Sequence, residues 1–149
     1  MSSVTEISVR DARARLDADA AAVYLDVRPV AEFADGRALV RCVNVPWAFR
    51  HPDGEAWHLN ADFVAIARHA LGEAQTVLVG GDASERAATA AMALAAAGTL
   101  DVLLVSGGID AWRAALLPTT RDNREGVSYV SLLTRYRRRD KPAKASAGH

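Results

Sequence analysis

A single cysteine, Cys42, stands among 149 residues, so no disulfide can form within the chain. The four histidines, His51, His58, His69 and His149, share no metal-ligand spacing, and neither a metal site nor a cofactor is expected. Aromatic residues make up only 6% of a chain that is 50% hydrophobic, so the core must be built mainly from Ala, Val and Leu. That composition suits strands packed between alanine-rich helices. No apolar stretch approaches the roughly 20 residues that cross a bilayer. The first 15 residues carry charges at Glu6, Arg10, Asp11, Arg13 and Arg15 in place of the apolar run of a targeting signal. A cytoplasmic location is expected, and the abundance of arginine and alanine points to a GC-rich bacterial source.

Net charge is also lacking: 18 basic residues balance 18 acidic ones. The balance hides an asymmetry. Residues 135–149 hold Arg135, Arg137, Arg138, Arg139, Lys141 and Lys144 against Asp140, a net of +5, which leaves −5 on the remainder. The length fits one domain with a tail. Residues 1–118 are expected to form the domain, 119–139 a connector and amphipathic helix, and 140–149 a disordered basic tail.

Within the domain, apolar runs alternate with helical patterns, the signature of a parallel sheet. Ile7 reads as a short edge strand, followed by a helix that Ser8 caps together with Asp11. Residues 22–27 (AVYLDV) and 76–80 (TVLVG) read as buried strands, with a short one at 42–45 and the last at 101–106. Pro29 opens a helical turn bearing Glu32 and Phe33. The turn signal His51-Pro52-Asp53-Gly54 makes 48–59 an excursion flanked by Trp47 and Trp57. Asn60 is expected to cap a helix that Gly72 stops, and Gly98 to end the alanine-rich helix after the strand at 76–80. A further helix carries Trp112 on its buried side. Beyond a polar connector, Tyr129, Leu132, Leu133 and Tyr136 recur at helical spacing. That face is expected to dock on the domain or to mediate self-association or partner binding.

In an open parallel sheet, chemistry concentrates where a strand ends and a helix begins, because unpaired amides and the helix dipole meet there. The candidate here is Gly81-Asp82-Ala83-Ser84-Glu85-Arg86. Together with YLDVRPVAEFADG at 24–36, CVNVP at 42–46 and VLLVSGGIDAWRAALLP at 102–118, this loop resembles the rhodanese homology family of sulfurtransferase-like domains, over roughly residues 5 to 118. The resemblance implies a three-layer α/β fold with a five-stranded parallel sheet. It also implies a six-residue loop that begins with a persulfide-carrying cysteine and ends with an arginine. The closely related cell-cycle phosphatases use a loop longer by one residue.

Arg86 stands at the closing position, so Gly81 stands where the family's cysteine would be, with no side chain to hold sulfur. Asp82 and Glu85 place two carboxylates in a cradle that suits anions, so thiosulfate is expected to bind poorly. One of the two is expected to fold into the loop as an internal anion. Ser84 reads as a helix N-cap rather than a nucleophile, since no histidine base is identifiable beside it. Asp26 and Arg28 match the family's aspartate and arginine in its first long motif and are expected to hold neighbouring loops. With Arg86 they are the candidate ligand-binding residues. The family usually has histidine where this chain has Arg37, so that side of the pocket is expected to differ.

The expectation is therefore a catalytically inactive homologue acting as a binding or regulatory module. The alternative is thiosulfate or persulfide sulfur transfer through Cys42 or a cysteine supplied by a partner. Cys42 is the candidate reactive thiol, although a strand beginning lies at the sheet edge opposite the loop and a packed thiol is the plainer expectation. The basic tail lacks interleaved aromatics, which argues against nucleic acid as its partner.

Overall fold

The computed structural model describes residues 4–50, 56–98, 100–124 and 126–139. The predicted turn at 51–54, His149 and the tail 140–149 lie outside them. Five strands form one parallel sheet: β1 (Thr5–Ile7), β2 (Ala22–Asp26), β4 (Cys42–Asn44), β7 (Thr76–Gly80) and β8 (Asp101–Val105). Their order is β1-β8-β7-β2-β4, so the two most fully buried of the five strands, β2 and β7, lie side by side in the interior. Two two-stranded pairs accompany it, β3 (Arg37–Ala38) with β9 (Thr119–Thr120) and β5 (Ala48–Arg50) with β6 (Trp57–Leu59), both antiparallel.

Alternation along the central strands divides the core in two. Leu25, Val77 and Val79 face one layer with α3 (Phe63–Leu71) and α4 (Glu85–Ala96), against Phe63, Ile66, Ala87, Ala91 and Leu94. Tyr24, Leu78 and Val105 face the other, with α1 (Val9–Ala18), α2 (Val30–Ala34) and α5 (Gly108–Ala114), against Leu16, Phe33 and Trp112. The result is the expected three layers, with central strands buried on both faces.

Local signals place the helix ends. The Ser8 hydroxyl accepts from the Asp11 amide at 3.0 Å, and Gly72 closes α3 at φ +58. Helix α3 begins two residues later than Asn60 suggests, with Asp62 at its N-cap position. The Asn60 side chain is drawn inward, where its amide donates to the Pro46 carbonyl at 3.0 Å and its oxygen accepts from Asp62 N. A buried amide with both ends satisfied is worth more there than as a solvent-exposed cap.

The final helix, α6 (Tyr129–Arg138), lies on α3. Tyr129 and Leu132 are buried in the same core as Phe63, with Leu133 and Tyr136 packed against it. The apolar face of α6 is thus covered within its own chain, and this packing does not support the expectation that it waits for a partner or second copy. The preceding segment is more than a connector: β9 pairs with β3, and the buried Arg37 donates to Asn123 Oδ1 at 2.6 Å and the Asp122 carbonyl at 3.0 Å. Among the described residues, no helix is long and apolar enough to cross a membrane.

Candidate functional site

The loop after β7 lies at the carboxyl edge of the sheet, where the β2–β7 register sets Asp26 beside Gly80. Two glycines are required there. A Cβ on Gly80 would overlap the Tyr24 hydroxyl, and one on Gly81 would overlap Asp26 Oδ1 while standing 2.6 Å from Oδ2. Gly81 also has φ +89, a left-handed conformation that costs other residues roughly 1–2 kcal/mol. The space a residue-81 side chain would enter is therefore filled by the Asp26 carboxylate.

Asp26 is fully buried and paired with Arg28, whose Nη2 donates to Oδ2 at 2.8 Å and whose Nε donates to Oδ1 at 3.0 Å. The same guanidinium donates to the Gly36 carbonyl at 2.8 Å, tying β2 to the end of α2. Burial raises the Asp26 carboxyl above its ordinary range, although the hydrogen bonds and charge of Arg28 pull it back. Beneath the loop, the Tyr24 hydroxyl has no hydrogen-bond partner among the described residues, and burial first, then the charge of Asp26, lifts its pKa.

Asp82 turns back into the loop. Its Oδ1 accepts from the Ser84 amide at 2.7 Å and its Oδ2 from Arg86 Nε at 3.0 Å, leaving the side chain 11% exposed. Burial alone would raise this carboxyl, but the bonds from Ser84 and Arg86 outweigh it and hold the pKa below the usual value. Ser84 caps α4, its hydroxyl accepting from the Arg86 amide at 3.2 Å. Of the two loop carboxylates, Asp82 is thus the internal anion, while Glu85 stays exposed. The start of α5 presses on the loop from the other side, with Ile109 N donating to the Gly81 carbonyl at 3.1 Å.

Arg86 is held twice. Besides its pair with Asp82, its guanidinium lies 4.0 Å from the centre of the Trp57 ring, which also carries Arg50 at 4.8 Å. The predicted excursion is therefore the β5–β6 hairpin, and it grips the loop arginine through an indole. Nothing in the local sequence signals that contact. The shallow depression in front of the loop is lined by Arg28, Glu32, Gly81, Asp82, Arg86 and Asp110. Both guanidiniums in it are already paired with carboxylates.

Cys42 lies nearer the loop than a strand beginning implies, because β4 is staggered: Cys42 pairs in register with Tyr24, two residues before Asp26. It is nevertheless 3% exposed, and burial, then the charge of Asp26, pushes its thiol far above the usual range. Arg37 points away from the depression to the 122–123 segment, so the position where the family usually has histidine serves packing here. Among the described residues, no cluster of His, Cys, Asp and Glu could hold a metal ion.

Comparison with known proteins agrees with this architecture. The family model described as Rhodanese-like domain matches residues 8–115. The thiosulfate sulfurtransferase 16, chloroplastic, of Arabidopsis thaliana is 34% identical over 96 residues, covering 64% of this chain and 78% of that protein. Among solved structures, Rv0390 from M. tuberculosis superposes with a TM-score of 0.63 at 25% identity, covering 81% of this chain and 100% of that one. The Alr3790 protein from Anabaena sp. reaches a TM-score of 0.64 at 24% identity, covering 96% of this chain and 100% of that one, a likeness of fold. Sheet order, the strand-to-helix loop and the match over residues 8–115 lead to one conclusion: the chain belongs to the family of rhodanese-like domains.

Proposed function

We propose that this chain is a catalytically inactive rhodanese-like domain that works as a binding or regulatory module, with Gly81 to Arg86 as its recognition face. One observation carries the reading: residue 81 has no side chain, and the space for one is taken by the Asp26 carboxylate. Sulfur transfer needs a thiolate that can take a sulfur atom from the donor and pass it to the acceptor. The loop offers none, and the thiol of Cys42 is sealed in the core. Asp82 already accepts from the loop arginine and the Ser84 amide, which disfavours a second anion such as thiosulfate.

A second reading is favoured by the 34% identity to a protein named thiosulfate sulfurtransferase. It is sulfur transfer through Cys42 or a cysteine brought by a partner protein. The assay that separates the two measures thiocyanate formed from thiosulfate and cyanide. The proposal expects no rate above the uncatalysed background, in the native protein or in Cys42→Ala. A native rate abolished by Cys42→Ala would establish the enzyme reading instead.

A further inference from the structure

The β5–β6 hairpin stands apart from the main sheet. Its strands pair with each other in a sheet of their own, in the register Ala48↔Leu59, Phe49↔His58 and Arg50↔Trp57. Its root is fixed: Trp47 N donates to the Val27 carbonyl at 3.0 Å, Asn60 N to the Trp47 carbonyl at 2.9 Å, and the Asn60 side chain to the Pro46 carbonyl. Beyond the root, side chains alternate between two faces. Phe49 and His58 share one, where the Phe49 ring stands 6.0 Å from that of Tyr129. Arg50 and Trp57 share the other, at the described pair farthest from the root, and there the indole covers the Arg86 guanidinium at 4.0 Å. Leu59, on the same face as Trp57, is 65% exposed.

We infer that this hairpin is a strap that swings about Pro46, Trp47 and Asn60, with the Trp57–Arg86 stack as its latch, and that the closed strap withholds Arg86 from ligands. Swinging breaks no hydrogen bond of the five-stranded sheet, because β5 and β6 contribute none to it. A partly exposed cation on an aromatic face is a weak contact, enough to favour the closed arrangement by roughly two- to fivefold. A latch of that strength holds at rest and yields to a competitor, as segments that move on binding must. The other hold on Arg86, its pair with Asp82 at 3.0 Å, lies within the loop and stays with it when the strap lifts. Opening therefore presents an arginine and a tryptophan together, two residue types that dominate binding energy at interfaces, beside the exposed Leu59. The strap regulates access to the 81–86 face, so its purpose rests on the recognition role proposed above; its motion does not.

The test measures the latch from both sides in the full-length protein. Phenylglyoxal modification, followed by peptide mass spectrometry, is expected to label Arg86 several-fold faster in Trp57→Ala than in the native protein. Trp57→Phe, which keeps an aromatic face, should restore most of the protection. Arg121, whose side chain is 78% exposed, serves as the internal standard and should react at one rate in all three. Amide exchange followed by NMR should quicken roughly two- to fivefold at residues 48–50 and 57–59 in Arg86→Gln, and stay unchanged in β2 and β7. Unchanged Arg86 labelling in Trp57→Ala would overturn the inference. So would hairpin exchange that ignores Arg86→Gln, or exchange that quickens equally in β7, which would reduce the stack to general stabilisation. Sulfur transfer by the native protein would remove the functional reading and leave these rates untouched, whereas failure of the strap would leave that reading standing.

Discussion

The carboxylate of Asp26 occupies the position from which a side chain on Gly81 would have to project. Restoring sulfur chemistry to this loop is therefore not a single-residue change. Gly81→Cys is expected to lower unfolding stability by about 2–4 kcal/mol, combining the left-handed backbone cost with overpacking of a closed site. It should gain no thiosulfate turnover. A urea titration giving an unchanged midpoint for this variant would contradict the placement of Asp26.

The two aspartates of the site respond to acid in opposite senses. Asp82 has a depressed pKa, so its contribution is present above the ordinary carboxylate value, about 3.9, and is lost as pH falls through the folded value. Asp26 is raised, so its contribution is present below the ordinary value and lost as pH rises through the folded one. Asp82→Asn should thus cost about 1 kcal/mol at neutral pH, and less as the solution is acidified below about pH 4. Urea unfolding of both proteins across that range checks the sign; a penalty that grows with acid would refute it.

Trp57 and Arg86 should be energetically coupled. A double-mutant cycle with Trp57→Ala and Arg86→Gln is expected to give an interaction of about 0.5–1 kcal/mol, the usual range for a partly exposed cation over an aromatic face. Zero coupling would mean that the hairpin does not hold the loop arginine in solution.

Leu132 anchors α6 on the domain core. Leu132→Ala is expected to lower stability by roughly 2–4 kcal/mol. Because the contact lies within one chain, the loss should not depend on protein concentration. Thermal midpoints that rise with concentration in the native protein would show that copies share this face instead.

What could be read from the sequence was what is local or periodic. The apolar runs of β2 and β7 declare themselves because both faces are buried, and Ser8 and Ser84 cap helices that begin one residue later. The absence of cysteine in 81–86 needed no structure. The features hidden from the sequence depend on register and on contacts between distant segments. Asp26 reaches Gly81 only because β2 pairs with β7 so that Asp26 meets Gly80. The stagger of β4 sets Cys42 level with Tyr24 rather than at the far edge. Asn60 gives up capping α3 because Pro46 and Tyr129 lie within reach of its amide. Trp57 finds Arg86 only after the β5–β6 hairpin has folded over the loop.

Whether this chain can hold sulfur covalently is the central question, and intact-protein mass spectrometry after incubation with thiosulfate answers it most directly. The expected result is an unchanged mass, because Gly81 has no thiol and Cys42 is buried with its pKa raised. A stoichiometric gain of one sulfur atom, mapped to Cys42 and discharged by cyanide, would contradict the account.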